Sequence, residues 1–284
     1  MGAAAPERRL FGSLTRPALL RYYEELAPVI VPHLRGRAFV SVLGARPGVR
    51  GRYLKDVPAG APAWLPRAAL PAVSRGGAPV VAPVVDDPAA LLWLVQRGVV
   101  ELHATLHRID DVTRPDQVLF DLDPTPRVRA ADTARVALLV RDALSGLSLR
   151  SCVKTSGRAG LHVAVPIARG PDYAATRAFA RTVAVALEHA LPGLVSHRIG
   201  DRRSRRVVVD WRQNQTGASI AAPYSVRARR GAPVSCPIAW EELEEGVRPS
   251  AFRMDAARER VAAHGDLYAL ALAGGQQLPR ASAR

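Results

Sequence analysis

Gln117-Val118-Leu119-Phe120-Asp121-Leu122-Asp123-Pro124 is an apolar run that stops on two carboxylates one residue apart. Val118, Leu119 and Phe120 suit a buried strand, whose side chains alternate faces, so Asp121 and Asp123 are expected to share one face. Like charges held side by side repel, and a divalent cation between them removes the repulsion; hard carboxylate oxygens suit Mg²⁺ or Mn²⁺. Taken alone, Asp-x-Asp-Pro also reads as the polar turn that ends a strand. A second stretch speaks for the metal. Arg206-Val207-Val208-Val209-Asp210-Trp211 is another β-branched run ending on a carboxylate. Asp121, Asp123 and Asp210 would then form a three-carboxylate set from two adjacent strands, able to hold the two metals used in nucleotidyl transfer.

Between these strands lies Val153-Lys154-Thr155-Ser156-Gly157-Arg158-Ala159-Gly160-Leu161-His162-Val163, a strand, a Gly-bounded polar turn and a strand. Small residues in the turn let backbone amides approach an anion, and Ser156, Lys154 and His162 carry donors for phosphate oxygens. By itself the stretch reads equally as an ordinary hairpin.

Together these elements resemble the polymerase domain of bacterial ligase D, a branch of the archaeo-eukaryotic primase superfamily that serves non-homologous end joining. The resemblance is carried by Phe-Asp-Leu-Asp-Pro at 120–124, Lys-Thr-Ser-Gly-x-x-Gly-Leu-His-Val at 154–163 and Val-Asp-Trp-x-Gln-Asn at 209–214. It continues through Ala222-Pro223-Tyr224-Ser225-Val226-Arg227, Ala232-Pro233-Val234-Ser235-Cys236-Pro237 and Trp240-Glu241-Glu242-Leu243, and covers about residues 15 to 265. It implies an α+β fold with β-sheets flanked by helices around a central catalytic cleft. It also implies templated transfer of NTPs or dNTPs to DNA 3′ ends, with Mn²⁺ favoured over Mg²⁺ and ribonucleotides readily inserted. The context it implies is the filling of short gaps at broken DNA ends alongside Ku and an ATP-dependent DNA ligase.

On the same resemblance Lys55, His103, Ser156, His162 and Arg227 hold the incoming nucleotide, and Gln213 falls where relatives carry Gln or Arg. Arg16, after Thr15, stands where the family has a lysine facing a downstream 5′-phosphate. Ala159 replaces a family Lys, with Arg158 beside it. The chain lacks a Lys-x-Asp-Gly ligase signature, so a stand-alone form that relies on partners for sealing is expected. A de novo primase would share every catalytic residue. A non-catalytic end-bridging protein is the other alternative, and three intact carboxylates argue against it.

The composition agrees with a folded, nucleic-acid-directed domain. The 284 residues are 48% hydrophobic and carry 40 basic against 25 acidic side chains, a formal charge of +15 that favours polyanionic partners. The basic set is nearly all Arg; Lys55 and Lys154 are the lysines, and both fall inside motif-like stretches. Cys152 and Cys236 show no Cys-x-x-Cys spacing and read as reduced packing residues. His103 and His107 have a zinc-like separation for a helix, but Val99-Val100-Glu101-Leu102 reads as strand and no thiolate lies nearby. Without a signal peptide or an apolar run of spanning length, a cytoplasmic, nucleoid-associated protein is expected.

Along the chain, residues 1–14 read as a flexible arm, 15–270 as the catalytic domain and 271–284 as a tail. Thr15 caps a helix that Pro28 and Pro32 should break or kink. Residues 38–43 and 52–55 read as strands of a hairpin made basic by Arg37, Arg46, Arg50, Arg52 and Lys55, and Ala59–Gly77 as loop, with Trp64 expected to pack. Asp87-Pro88 opens a helix to Gln96, and Ala130–Leu144 and Pro171–Leu191 are further helices. Arg198–Arg206 is an arginine-dense loop placed to meet a phosphate backbone near the metal site. Ala218–Ala222 and Tyr224–Arg227 are expected to extend the sheet, and Trp240–Leu243 and Asp255–His264 to form terminal helices.

Overall fold

The helical apolar spacing that starts at Leu19 wins over two internal prolines. In the computed structural model, which describes residues 9–11, 14–43, 52–70, 79–201, 204–246 and 251–279, a small hairpin of β1 (Arg9–Phe11) and β2 (Leu14–Thr15) leads into α1 (Arg16–Leu34). The Thr15 hydroxyl accepts from Ala18 N at 3.4 Å and Pro17 sits in the first turn, as expected. Pro28 and Pro32 lie inside the helix instead of ending it. Each would cost an isolated helix about 3 kcal/mol. Burial of Leu19, Tyr22, Tyr23, Leu26 and Ile30 outweighs that, because helices in proteins are held mainly by their packed face.

β3 (Phe39–Leu43) and β4 (Arg52–Leu54) pair antiparallel; Arg46 and Arg50, between them, lie outside the described residues. The Pro- and Ala-rich stretch from Ala59, expected to be loop throughout, contains β5 (Arg67–Leu70), which pairs with β6 (Val80–Pro83). Its Ala-rich sequence has little strand propensity; the partner strand supplies the ladder. Next come α2 (Pro88–Gln96), capped by Asp87, then β7 (Val99–Thr105), β8 (His107–Arg108), β9 (Asp111–Pro115) and β10 (Gln117–Pro124). α3 (Ala130–Gly146), β11 (Cys152–Thr155), β12 (Leu161–Pro166), α4 (Tyr173–Ala190), β13 (Val195–Ser196), β14 (Val207–Asp210) and β15 (Ser219–Ala221) follow. β16 (Pro237–Ile238), α5 (Trp240–Glu244), α6 (Met254–His264) and α7 (Leu270–Ala273) complete the order. Tyr224–Arg227 is not a strand: Tyr224 has a φ of 63°, which breaks the extended path, and Val226 makes an isolated bridge to Val234.

Two sheets frame the molecule. One has the order β13-β14-β10-β12-β11-β16, the other β15-β7-β3-β4. On β10, Val118, Phe120 and Leu122 turn toward α3 and α4, with the Phe120 ring edge-on to Phe179 at 6.5 Å. Leu119, Asp121 and Asp123 therefore occupy the opposite face. On β7, Val100, Leu102 and Ala104 join the main core, so Glu101, His103 and Thr105 face the other way. The faces turned away from α3 meet around Leu106, Leu119, Cys152, Ala164 and Tyr268, where Tyr173 at the start of α4 and Ala271 of α7 join them. This is the α+β arrangement expected, with a cleft between the sheets. Cys152 and Cys236 are buried free thiols, each pushed up to about 12 by burial.

Candidate active site

Strand register assembles the site. Asp121 of β10 is directly opposite Asp210 of β14 on one side and His162 of β12 on the other, and His162 is opposite Lys154 of β11. Directly opposed residues on antiparallel neighbours share a face, so Asp210, Asp121, His162 and Lys154 form one row across four strands. Asp123, two residues on, lies on the same face opposite Val208. A cavity of about 440 Å³ opens beside the row, with Asp123, Thr125, Asp210 and Arg212 on one wall and Ile199 to Asp201 on the other.

The carboxylates are poised to attract a cation. Asp121 is 7% exposed, and burial raises its carboxyl to about 6. Its Oδ1 is buried without a hydrogen-bond donor among the described residues and stands 3.4 Å from His162 Nε2. Burial also raises the Asp210 carboxyl, against the Arg212 N–H at 2.8 Å, and the Asp121 charge adds to the rise. The three carboxylates share a face without being drawn together: among the described residues no group of three or more His, Cys, Asp or Glu is close enough to hold a metal ion. An all-oxygen donor set with an orphaned buried carboxylate oxygen fits Mg²⁺ or Mn²⁺ chemically, since a cation would satisfy that oxygen and offset the repulsion.

Lys154, expected to offer a donor to phosphate oxygens, is enclosed. It is 1% exposed, with Nζ 2.5 Å from His162 Nδ1 and donating to Ser235 Oγ at 2.7 Å, while Ser235 Oγ donates to Thr155 O at 2.8 Å. Burial, then the Arg227 charge, pushes the amine well below its usual range, and burial likewise pushes His162 down. The lysine thus lies behind the imidazole, its amine enclosed between His162 and Ser235. The Ser156 hydroxyl accepts from Arg158 N at 3.1 Å and Gly160 N at 3.2 Å, which closes the turn.

From the second sheet, His103 Nε2 lies 2.9 Å from Glu101 Oε2, and Arg227 Nε donates to the same oxygen at 3.0 Å. Arg227 Nη1 also donates to Ser156 O at 2.7 Å, tying the two sheets together across the cleft. Burial alone would raise the Glu101 carboxyl; the His103 hydrogen bond and the Arg227 charge hold it down at about 2. Burial pushes His103 down. The exposed Tyr53 ring packs edge-on to His103 at 5.5 Å. Lys55 follows β4 in the same sheet and is half-buried.

The remaining residues singled out are placed unevenly. Gln213 ends a 3-10 turn (Trp211–Gln213) and is half-buried, whereas Asn214 is fully buried and clamps β10, accepting from Leu119 N at 2.9 Å and donating to Leu119 O at 2.7 Å. Arg16 begins α1, half-buried, its Nε enclosed without a hydrogen-bond partner among the described residues. Trp64, expected to pack, is 54% exposed. In the arginine-dense loop, Arg206 is engaged by Glu188 at 3.0 Å and Asp201 at 2.6 Å, Arg198 is exposed, and Arg202 and Arg203 lie outside the described residues. Arg37, placed with the basic hairpin, is buried against Asp116 at 2.7 Å, and His107 pairs with the Tyr173 hydroxyl at 2.7 Å. Glu101 and Asn214 were missed. A lone charge two residues before His103 in an otherwise apolar strand was the available signal for Glu101.

Opposed carboxylates on a sheet face beside an open cavity are an arrangement suited to metal-assisted phosphoryl or nucleotidyl transfer. Residues 15–268 match the family model described as LigD, primase-polymerase domain, and the chain belongs to that family. It is 30% identical over 259 residues to the multifunctional non-homologous end joining protein LigD of Mycolicibacterium smegmatis, covering 90% of this chain and 34% of that protein. With the LigD of Pseudomonas aeruginosa it shares 35% identity over 175 residues, 61% of this chain and 21% of that one. The chain thus spans about a third of the length of the curated relatives that it matches over most of its own length. The polymerase domain from Mycobacterium tuberculosis ligase D, solved in complex with DNA, has the same fold: TM-score 0.84, 29% identity, 96% of this chain and 98% of that one.

Proposed function

We propose that this chain is a metal-dependent nucleotidyltransferase that adds NTPs or dNTPs to DNA 3′ ends, filling gaps during non-homologous end joining. The observation that carries the proposal is the row Asp210–Asp121–His162 on the cleft face of one sheet, opposite the Glu101–His103–Arg227 group of the other. Asp121, Asp123 and Asp210 would hold Mn²⁺ or Mg²⁺, which when bound lowers the pKa of a primer hydroxyl and stabilises leaving pyrophosphate. His162 Nε2, aimed along the row, and Ser156 would meet phosphate oxygens. Lys55 and Arg227 would supply positive charge for the triphosphate, and His103 and Gln213 would border the nucleotide. Arg16 would face a downstream 5′-phosphate.

Residues 15–270 would form the catalytic unit, flanked by the arm and tail. Ku and an ATP-dependent DNA ligase are the proposed partners and a cytoplasmic, nucleoid-associated location is the proposed one; the DNA-repair names of relatives support both. None of the described helices is long and apolar enough to cross a membrane.

Extension of a primer on gapped DNA, with Mn²⁺ against Mg²⁺ and NTPs against dNTPs, tests the reading. Metal-dependent extension is expected. Synthesis without any primer would make the chain a de novo primase, and DNA binding with no synthesis under any condition would leave an end-bridging protein.

A further inference from the structure

The turn between β11 and β12 has two ends with different neighbours. At Gly160 an added Cβ would stand 2.4 Å from Leu122 O and 3.4 Å from Asp123 Oδ1, so this end closes on the carboxylates. At Gly157 it would stand 2.3 Å from Arg227 Cγ and 3.1 Å from Ser235 N. Outside the Gly157 end lies a separate open cavity of about 490 Å³, floored by Gly157 and Gly231 and walled by Arg158, Arg229, Arg230 and Arg253. Among the described residues no acidic side chain lines it.

These arginines come from three separate segments, brought together by the fold. Pro233 bridges Arg253, and the Arg253 guanidinium lies over Gly231, whose φ is +84° and whose added Cβ would meet Cζ at 3.3 Å. Arg158, Arg230 and Arg253 are exposed. Cations facing one cavity repel, and an anion seated among them reverses the sign of that interaction. Guanidinium forks match phosphate oxygens bidentately, and glycines in the floor let a backbone come close.

We propose that this pocket holds a backbone phosphate of the nucleic acid that crosses the site, a contact separate from the metal and nucleotide positions; the inference rests on the polymerase reading above. Two features favour a phosphodiester over a small molecule. The pocket is open and carries guanidinium groups from three segments around its rim, as a strand entering and leaving requires, whereas small-ligand sites enclose most of their ligand. On the polymerase reading the incoming triphosphate would already be met by His162, in the row with Asp121, and by Ser156.

The test is the salt dependence of binding to gapped duplex DNA, for wild type, the triple variant Arg158→Gln, Arg230→Gln, Arg253→Gln, and a control triple, Arg135→Gln, Arg150→Gln, Arg177→Gln. The control removes equal charge from exposed positions on or just after α3 and on α4, elements that lie on the far face of the six-stranded sheet or at its border. The pocket variant should bind more weakly on every sequence, with the slope of log K against log[salt] reduced by about 0.9 for one lost phosphate contact. The control should keep the wild-type slope. Equal slopes for the two triples would overturn the proposal. So would an unchanged slope with a several-fold rise in KM for NTP, which would assign the pocket to the triphosphate. If the slope falls as expected while wild type extends no primer, the pocket stands and the polymerase reading fails.

Discussion

Lys154 Nζ lies 2.5 Å from His162 Nδ1, and the pair sits opposite each other on neighbouring strands with the imidazole between the amine and Asp121. The amine's other hydrogen bond goes to Ser235 Oγ, so Lys154 holds the ring from behind while Nε2 points along the row. Lys154→Met keeps the bulk and removes this hold. Supporting groups of this kind typically contribute about 10–100-fold, so kcat for extension should fall by about that factor with DNA affinity retained. Wild-type kcat in Lys154→Met would reduce the contact to packing.

Asp210→Ala should abolish extension while DNA affinity is kept. A bound divalent cation supplies several kcal/mol of transition-state stabilisation, about 1,000-fold or more in rate. Primer extension and DNA binding measured side by side check this; normal extension would remove Asp210 from the metal set.

Glu101→Gln separates charge from shape. The wild-type carboxyl is held at about 2, below the 4.5 of the free group. A depressed folded value contributes stability that is fully present above 4.5 and is lost as pH falls toward 2. The variant should be less stable than wild type by about 3 kcal/mol at pH 7, because Arg227 loses its buried partner. That difference should shrink between pH 4.5 and 2. Denaturant unfolding at several pH values decides it, and a constant difference would contradict the ion-pair account.

Gly160→Ala should lose about 1–3 kcal/mol, since its Cβ would press on a strand carbonyl, Leu122 O, at 2.4 Å. Gly170→Ala, where nothing lies within 4 Å, should stay within about 0.5 kcal/mol. Thermal melts of the two variants compare them directly, and matching melts would mean that the turn relaxes freely.

Arg16 sits at the start of α1, half-buried, its Nε enclosed and without a partner among the described residues; on the proposed reading its guanidinium would meet a downstream 5′-phosphate. One charge-assisted bond is worth about 1.5–3 kcal/mol, so 5′-phosphorylated gaps should bind more tightly than unphosphorylated ones, and Arg16→Ala should remove most of the preference. Binding to the two gap types at fixed ionic strength measures it. Equal wild-type affinities would mean that this chain has no such phosphate contact.

Much of the site was legible in linear patterns, because strand alternation has a period of two and acts over a few residues. Asp121 and Asp123 on one face, Asp210 at the end of its own β-branched run, the Thr15 and Asp87 caps, and glycines at both ends of the 157–160 turn all come from neighbours in sequence. Local propensity misled where distant burial opposed it, at Pro28 and Pro32 and again at Arg67–Leu70.

What the sequence by itself determined was the set of strands, the residues at their ends and the charge they carry. Only the tertiary structure decided which residues oppose one another: that Asp121 faces Asp210 and His162, that Lys154 is sealed behind the imidazole, and that Glu101 and Arg227 join the two sheets. The physical reason is that register and burial are set by pairing between segments far apart in the chain. A slip of one residue in β14 would turn Asp210 to the helix-covered face without changing a single local preference.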